Sequence, residues 1–124
     1  MKEVINPGTA VAGPYSPGIR SGNTLYISGH GWPQTSSDIS EQTYQTLDSI
    51  KRIIINAGGE VSDIVNTTVF LRNMTDFNRM NNAYKNFFEQ NNVTKAFPTR
   101  TTVEVSNLPL PEMLIEINAV AVLK

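Results

Sequence analysis

The sequence contains no cysteine and a single histidine, His30. Without cysteine, disulfide bonds and thiol catalysis are both excluded. One histidine argues against a metal site built from several histidines and against a Ser-His-Asp triad. The lack of cysteine is compatible with a reducing compartment, and we expect a cytoplasmic protein.

Long apolar runs and runs of like charge are also missing. No segment is apolar enough over enough residues to cross a bilayer, and residues 1–7 lack the apolar core of a signal peptide. The ten Lys and Arg residues are scattered, and the net charge is −1. Because phosphate binding needs clustered positive charge, we expect neither a nucleic-acid partner nor a membrane partner.

What is present fits one domain spanning residues 1–124. Hydrophobic residues make up 40% of the chain, enough for a core. Periodicity and turn signals predict two helices: one starts at Ser37 or Asp38 and ends at Gly58-Gly59, and the other spans residues 76–90 and is capped by Thr75. They also predict a hairpin over residues 19–28 with a Gly22-Asn23 turn, and strands over 63–72, 99–105 and 114–123. Residues 7–17, rich in Gly and Pro, are predicted to be loop or edge strand, and residues 29–37, polar and Gly-rich, are predicted to be a loop. The order β-β-α-β-α-β-β indicates an α+β fold with two helices on one face of a mixed sheet.

Two helices leave the other face of such a sheet without cover. The last two predicted strands carry many apolar residues, which we assign to that face: Val103, Val105, Ile115, Ile117, Val120 and Val122. An exposed apolar face of this size usually marks an interface between subunits, so we expect a homo-oligomer. The alternative is a longer helical cover or a curled sheet that buries the face within one chain.

Two charged residues stand out within the apolar strands. Arg100 lies near the start of a β-branched strand, and Glu116 lies inside the apolar segment 113–117. A half-buried arginine needs an anion, and its planar fork of donors matches a carboxylate. The pair therefore suggests a site for a small ligand that carries a carboxylate. The alternative is a structural ion pair between the two strands.

Six segments stand in order along the chain: GPYS at 13–16, LYISG at 25–29, AGG at 57–59, DIVNTTVFL at 63–71, FPTRTTVEV at 97–105 and IEINAVA at 115–121. Together they resemble the RidA/YjgF family of reactive-intermediate deaminases. The resemblance covers essentially the whole chain. It implies a chorismate-mutase-like α+β subunit, a homotrimer with its sheets packed inside, and sites in clefts between subunits.

The resemblance also implies an activity and site residues. The activity is hydrolysis of 2-aminoacrylate, 2-aminocrotonate and their imine tautomers to 2-keto acids and ammonia, with no metal or organic cofactor. By motif position, Arg100 grips the substrate carboxylate and Glu116 places or activates water near the reacting carbon. Tyr15 lines the cleft, while Ser28 and Gly29 offer backbone N–H groups. From the residues alone, Tyr15 and Ser28 would be assigned structural roles.

The chain departs from the family pattern at several positions. Thr102 stands where the family often has a cysteine, and Asn118 where it often has a second acidic residue. The Ser-Gly pair is commonly followed by glutamine, but His30 follows it here and Trp32 lies close by. His30 is interpreted either as a packing residue at the pocket rim or as a catalytic residue. These differences bear on substrate range more than on the fold.

Two other functions are compatible with parts of this pattern. A regulatory module that binds 2-keto acids without turnover would need Arg100 but not Glu116, so the glutamate favours an enzyme. An older name of the family implies ribonuclease activity. The scattered basic residues and the single histidine argue against that function.

Overall fold

The computed structural model describes residues 1–33 and 37–124, which form one mixed sheet with two α-helices on one face. The strands are β1 Lys2–Ile5, β2 Gly18–Ser21, β3 Thr24–His30, β4 Ile64–Leu71, β5 Thr99–Glu104 and β6 Ile115–Val122; the helices are α1 Ile39–Asn56 and α2 Phe77–Gln90. The sheet order is β1-β2-β3-β6-β4-β5, and all neighbours are antiparallel except the parallel pair β4 and β5. The predicted α+β architecture is confirmed.

The local signals explain where the first hairpin and α1 begin and end. Gly22 adopts a φ of +60° in the turn between β2 and β3, as the predicted hairpin requires. Asp38 caps α1 by accepting the backbone N–H of Glu41 at 3.0 Å. Gly58, with a φ of +89°, stops the helix just after Ala57.

Three local predictions need correction. Strand β1 was not predicted, because only Ile5 of its four residues is buried and its pattern does not alternate. Thr75 does not cap α2: Asn73 accepts the backbone N–H of Thr75 at 3.0 Å, and a 3₁₀ turn over Met74–Asp76 leads into the helix. Residues Gly29 and His30 were predicted to begin a loop but belong to β3. The rest of that predicted loop extends into residues 34–36, outside the described residues.

The core lies between the sheet and the helices. Leu25, Ile115, Ile117, Leu47 and Phe87 are each at most 1% exposed within it. Ile115 and Ile117 were assigned to the uncovered face, which is wrong, because side chains alternate along a strand and these two point toward the helices. The opposite face carries apolar side chains that are exposed in the protomer: Tyr26, Val103 and Val122. Neither helix in the described part of the chain combines the length and hydropathy of a bilayer span.

Candidate active site

Arg100 projects from β5 toward the helices. Its guanidinium carbon lies 4.8 Å from the centre of the Tyr84 ring and 5.7 Å from that of Phe77, and its Nη1 lies 3.9 Å from Met80 Sδ. No ion pair in the described residues involves Arg100. The aromatic faces stabilise the cation without neutralising it, so its donors remain available to an anion.

A hollow of about 480 Å³, here called the arginine hollow, opens at Arg100. Its lining residues are Asn81, Tyr84, Lys85, Phe97, Pro98 and Arg100, two cations with no acidic group. The Tyr84 hydroxyl and Thr67 Oγ1 are hydrogen-bonded at 2.8 Å. Burial raises the pKa of Tyr84, opposed by this hydrogen bond and by the Arg100 charge. The Tyr84 side chain beside Arg100 is therefore neutral. Its hydroxyl is hydrogen-bonded to Thr67, and its ring face contacts the guanidinium.

Glu116 lies on the opposite face of the sheet from Arg100. It alternates on β6 with Ile115 and Ile117, which point into the core. Its side chain lines a second cavity of about 580 Å³, here called the glutamate cavity. No hydrogen bond or ion pair from the described residues reaches its carboxylate, and burial raises the pKa of Glu116. A carboxylate in this state is a stronger base than an exposed glutamate.

The backbone of β3 passes directly over this carboxylate at Gly29. A Cβ built on Gly29 would lie 2.7 Å from Glu116 Cδ, which is closer than real Cβ contacts. Glycine is therefore the residue that lets β3 approach the glutamate. This gives Gly29 a steric role in the site beside its predicted role as a backbone donor.

Ser28 is occupied by contacts within its own chain. Its hydroxyl donates to the backbone oxygen of Ser16 at 2.6 Å, and its backbone N–H donates to the backbone oxygen of Pro17 at 3.0 Å. These bonds fix the end of β3 to the loop before β2. The predicted use of the Ser28 N–H by a ligand would compete with the bond to Pro17, whereas the hydroxyl oxygen still has lone pairs.

The structure brings together some of the predicted site residues and separates others. Tyr15, Gly29 and Glu116 line the glutamate cavity, with the Tyr15 side chain half exposed. Arg100 lines the arginine hollow on the other face. The alternative of a structural ion pair between Arg100 and Glu116 is therefore wrong for a single chain.

His30 and Trp32 also line the glutamate cavity. His30 Nδ1 lies 2.6 Å from the backbone oxygen of Ser28, and burial lowers the pKa of His30 despite this hydrogen bond. The Arg52 guanidinium carbon lies 5.8 Å from the centre of the Trp32 ring, and Arg52 pairs with Asp48 at 3.2 Å. The lining of the cavity thus includes an aromatic side chain and a histidine; His30 pairs with Ile117 and so lies toward the helix face, whereas Glu116 lies on the opposite face.

The residues that surround Arg100 were not predicted from the sequence. Tyr84 lies at helical spacing from Met80 and Phe88 on the buried side of α2, but only the packing of α2 against β5 shows that its ring meets the guanidinium. Asn81 and Lys85 carried no signal, because polar residues on a helix are ordinarily solvated. Among residues 1–33 and 37–124, no cluster of three or more His, Asp or Glu side chains is arranged to hold a metal ion.

The Arg100 cation and the Glu116 carboxylate thus lie in separate hollows of an α+β fold, and no ion pair among the described residues neutralises either of them. The chain belongs to the RidA/YjgF family: the family model described as endoribonuclease L-PSP matches residues 7–123.

Similar proteins extend over nearly the full chain. The RutC family protein PH0854 of Pyrococcus horikoshii is 42% identical over 129 aligned residues, covering 98% of each chain. The 2-iminobutanoate/2-iminopropanoate deaminase of Escherichia coli is 42% identical over 118 residues, covering 91% of this chain and 90% of the relative. The structure of E. coli TdcF with bound serine superposes with a TM-score of 0.90 at 34% identity, over 98% of this chain and 99% of that one.

Proposed function

We propose that this protein is an enamine/imine deaminase, which hydrolyses 2-aminoacrylate, 2-aminocrotonate and their imine tautomers to 2-keto acids and ammonia. The observation that carries the proposal is the Arg100 guanidinium, half-buried between two aromatic rings with no carboxylate partner in the described residues. The name of the 42% identical E. coli relative supports the same chemistry.

Arg100 is the proposed anchor for the carboxylate of the substrate. Two parallel N–H donors hold both oxygens of a carboxylate and so fix the orientation of the whole small molecule. The stacking on Tyr84 and Phe77 limits the positions that the guanidinium can adopt before a ligand arrives. Such preorganisation lowers the entropic cost of bringing the imine carbon and a water together.

Glu116 is the proposed group that places or activates the water. Its carboxylate has no partner in the described part of the chain, and its raised pKa makes it a better proton acceptor than an exposed glutamate. Tyr15, Ser28 and Gly29 are the proposed substrate contacts around it. Imines are reactive toward water, so this proposal requires no metal or organic cofactor.

The site is proposed to be shared between subunits of a homotrimer. Arg100 and Glu116 lie on opposite faces of one sheet, so a substrate held by the first residue would not reach the second within the same protomer. Packing the uncovered sheet faces inside a trimer would bury Tyr26, Val103 and Val122. The same packing would align the arginine hollow of one subunit with the glutamate cavity of its neighbour. A cytoplasmic location is part of the proposal.

The second candidate function is a regulatory module that binds 2-keto acids without turnover. The arginine hollow serves this function equally well, because it recognises only the carboxylate. The half-buried Glu116, which has no partner among the described residues, favours the enzyme, because a carboxylate opposing the ligand is unfavourable for binding a keto acid. A ribonuclease, which the description of the family model suggests, would need a cluster of basic residues, and the ten basic residues in this sequence are scattered.

The test is an assay with freshly generated 2-aminoacrylate, followed as pyruvate formation. We expect the wild type to accelerate pyruvate formation and Arg100→Ala to reduce kcat/KM by about 100-fold or more, because two charge-assisted hydrogen bonds contribute about 3 kcal/mol. Arg79→Ala is the matched control, since Arg79 is an exposed arginine of α2 outside both cavities and makes only a surface ion pair.

Three outcomes separate the two functions. Acceleration by the wild type and by Arg79→Ala, with loss in Arg100→Ala, supports the deaminase. If the wild type gives no acceleration yet binds 2-ketobutyrate through Arg100, the regulatory module is correct. Equal activity in Arg100→Ala and the control would remove Arg100 from the site.

A further inference from the structure

Part of the lining of the glutamate cavity comes from the connection between β5 and β6, here called the wall loop, residues 107–113. Its members Pro109, Leu110 and Met113 line the cavity together with Glu116. Met113 is buried, whereas Leu110 is 49% exposed. Pockets for small molecules are lined mostly by apolar side chains, with a few polar groups that fix the orientation of the ligand. Leu110 is therefore an apolar surface open to a ligand in the cavity.

Strand register places the anchor of the wall loop on the same face of the sheet as Glu116. Leu71 pairs with Ile115, and both are fully buried toward the helices. Side chains alternate along a strand, so the next residues along the chain, Arg72 and Glu116, project from the opposite face. The Arg72 backbone N–H donates to the Leu114 oxygen at 3.0 Å, which continues the ladder by one residue and preserves the alternation.

The guanidinium of Arg72 holds the wall loop at three points. Its Nε donates to the backbone oxygen of Met113 at 2.6 Å, its Nη2 donates to that of Leu110 at 2.9 Å, and its Nη1 donates to Asn107 Oδ1 at 3.1 Å. No carboxylate in the described part of the chain pairs with Arg72. Because the guanidinium is a rigid planar fork, these three bonds fix the points of the loop relative to one another.

Gln42 of α1 fixes the end of the wall loop from inside the core. Its side chain is fully buried, its Nε2 donates to the backbone oxygen of Glu112 at 2.9 Å, and its Oε1 accepts the backbone N–H of Leu114 at 2.8 Å. Breaking either bond would leave a buried amide group unsatisfied, which is costly. Leu110 therefore has a defined position although the wall loop belongs to no helix or strand.

We propose that Arg72 is a positioning residue that holds Leu110 against the side chain of the substrate, a role that rests on the proposed function. In the proposed cleft, Arg100 fixes the carboxylate and Glu116 faces the reacting carbon, so the substituent on C3 is the part of the substrate left for the wall loop. Pro109 and Leu110 present only carbon atoms, and such a surface favours an apolar substituent. The wall loop thereby sets the preference for 2-aminocrotonate over 2-aminoacrylate, which lacks one methyl group.

A purely structural Arg72 would stabilise the wall loop without affecting which substrate is preferred. Arg20 is a matched example of that role in this chain. Its guanidinium also donates to backbone oxygens, to that of Gly22 at 3.0 Å and to that of Ala57 at 3.2 Å, and it lines neither cavity. The ratio of the kcat/KM values for the two substrates separates the two roles, because a loss of folded protein lowers both values equally.

The kinetic test measures kcat/KM for freshly generated 2-aminocrotonate and 2-aminoacrylate, followed as keto-acid formation. We expect Leu110→Ala to lower the ratio of the first value to the second about 10-fold, the lower end of what a methylene-sized group contributes in an apolar pocket. The loss should lie in KM, because the contact is the same before and during the reaction. Arg72→Met, which keeps a long side chain without donors, should lower the ratio in the same direction, and Arg20→Met should leave it unchanged.

The double variant Leu110→Ala/Arg72→Met shows whether Arg72 acts through Leu110. We expect it to lose no more selectivity than Leu110→Ala alone, because the two residues then affect one contact. Additive losses would overturn the positioning role. An unchanged ratio in Leu110→Ala would overturn the contact with the substrate, since truncating a half-exposed leucine leaves the core intact. An unchanged ratio in Arg72→Met beside a lowered one in Leu110→Ala would make Arg72 structural.

Binding of the product keto acids tests the wall loop without turnover. By calorimetry, we expect the wild type to bind 2-ketobutyrate more tightly than pyruvate, and Leu110→Ala and Arg72→Met to lose most of this difference. Equal affinities in the wild type would overturn the proposal. If the wild type accelerated the hydrolysis of neither substrate, the proposed function would be wrong, and the difference in keto-acid affinity would still decide the role of the wall loop.

Discussion

At the residue scale, Gly29 constrains the site sterically. A Cβ at this position would lie 2.7 Å from Glu116 Cδ, so Gly29→Ala must displace either β3 or the carboxylate. The side chain is the more mobile of the two, and we expect it to rotate away from its position in the cavity. We therefore expect kcat to fall by about 10-fold or more, since small misplacements of a catalytic group have large effects.

The control for Gly29→Ala is a glycine that is equally crowded but distant from Glu116. A Cβ on Gly18 would lie 2.8 Å from Ile53 Cγ2 in the core. Gly18→Ala should lower the melting temperature while the folded protein keeps its kcat. Assays well below the melting temperature of both variants distinguish the two effects, and an active Gly29→Ala would show that the glutamate does not need its present position.

The two charged candidate residues were selected from the sequence because they interrupt apolar strands. Arg100 and Glu116 are exceptions to the local pattern, and exceptions are visible without a structure. Which face each residue occupies depends on strand register, and their separation on opposite faces became clear only from the pairing of Phe70 with Glu116 and of Thr67 with Arg100. The contacts of Arg100 with α2 depend on tertiary packing, so they too became clear only from the structure.

At the element scale, α1 carries an unsatisfied polar group on its buried side. Thr46 is fully buried, and its Oγ1 has no hydrogen-bond partner among the described residues. Replacing it with valine, which has almost the same shape, removes the desolvation cost of the hydroxyl. We expect Thr46→Val to raise the free energy of unfolding by about 1 kcal/mol, measured by chemical denaturation.

Thr43 provides the matched control in the same helix. It is equally buried, but its hydroxyl donates to the backbone oxygen of Ile39 at 2.7 Å. Thr43→Val loses this bond and should leave stability unchanged or slightly lower. The two variants share the same change in helix propensity, so a difference between them reports the hydrogen bond alone. Equal effects would mean that Thr46 finds a partner in solution.

Helices and strands whose ends carry strong sequence signals were predictable, and elements that lack such signals were not. A cap at Ser37 or Asp38 and the Gly58-Gly59 pair bounded α1 from the sequence; in the structure Asp38 is the cap, and Gly58 follows the helix with a positive φ. Strand β1 has no such signal: it depends on hydrogen bonds to β2, and a four-residue edge strand with one buried side chain is indistinguishable from a loop. The correct cap of the second helical region, Asn73, lies two residues before the predicted one.

At the scale of the whole molecule, the helices cover one face of the sheet, and the charges of the site are divided between the two faces. Tyr26 and Val122 are 53% and 46% exposed on the face without helices. Apolar side chains in such positions contribute to stability only if another surface covers them. A trimer that packs these faces together would account for both the apolar surface and the divided site.

The divided site predicts that two inactive variants restore each other. Arg100→Ala and Glu116→Gln should each be inactive alone. In a mixed assembly, a cleft that takes its arginine from a Glu116→Gln subunit and its glutamate from an Arg100→Ala subunit is intact. In a trimer that contains both variants, in either ratio, one of the three clefts has this composition, so about one third of the clefts in the mixed assemblies are intact. Co-expression with two different affinity tags and sequential purification would yield the mixed assemblies for the pyruvate assay.

The control is a mixture of the two variants purified separately and combined just before the assay, which should stay inactive over a short measurement if subunits exchange slowly. Recovery near about one third of the wild-type rate, only in the co-expressed sample, would place Arg100 and Glu116 of each working site on different subunits. If both residues acted within one chain, each subunit would lack one of them and co-expression would restore nothing. The result therefore distinguishes a shared site from one completed by movement within a single protomer.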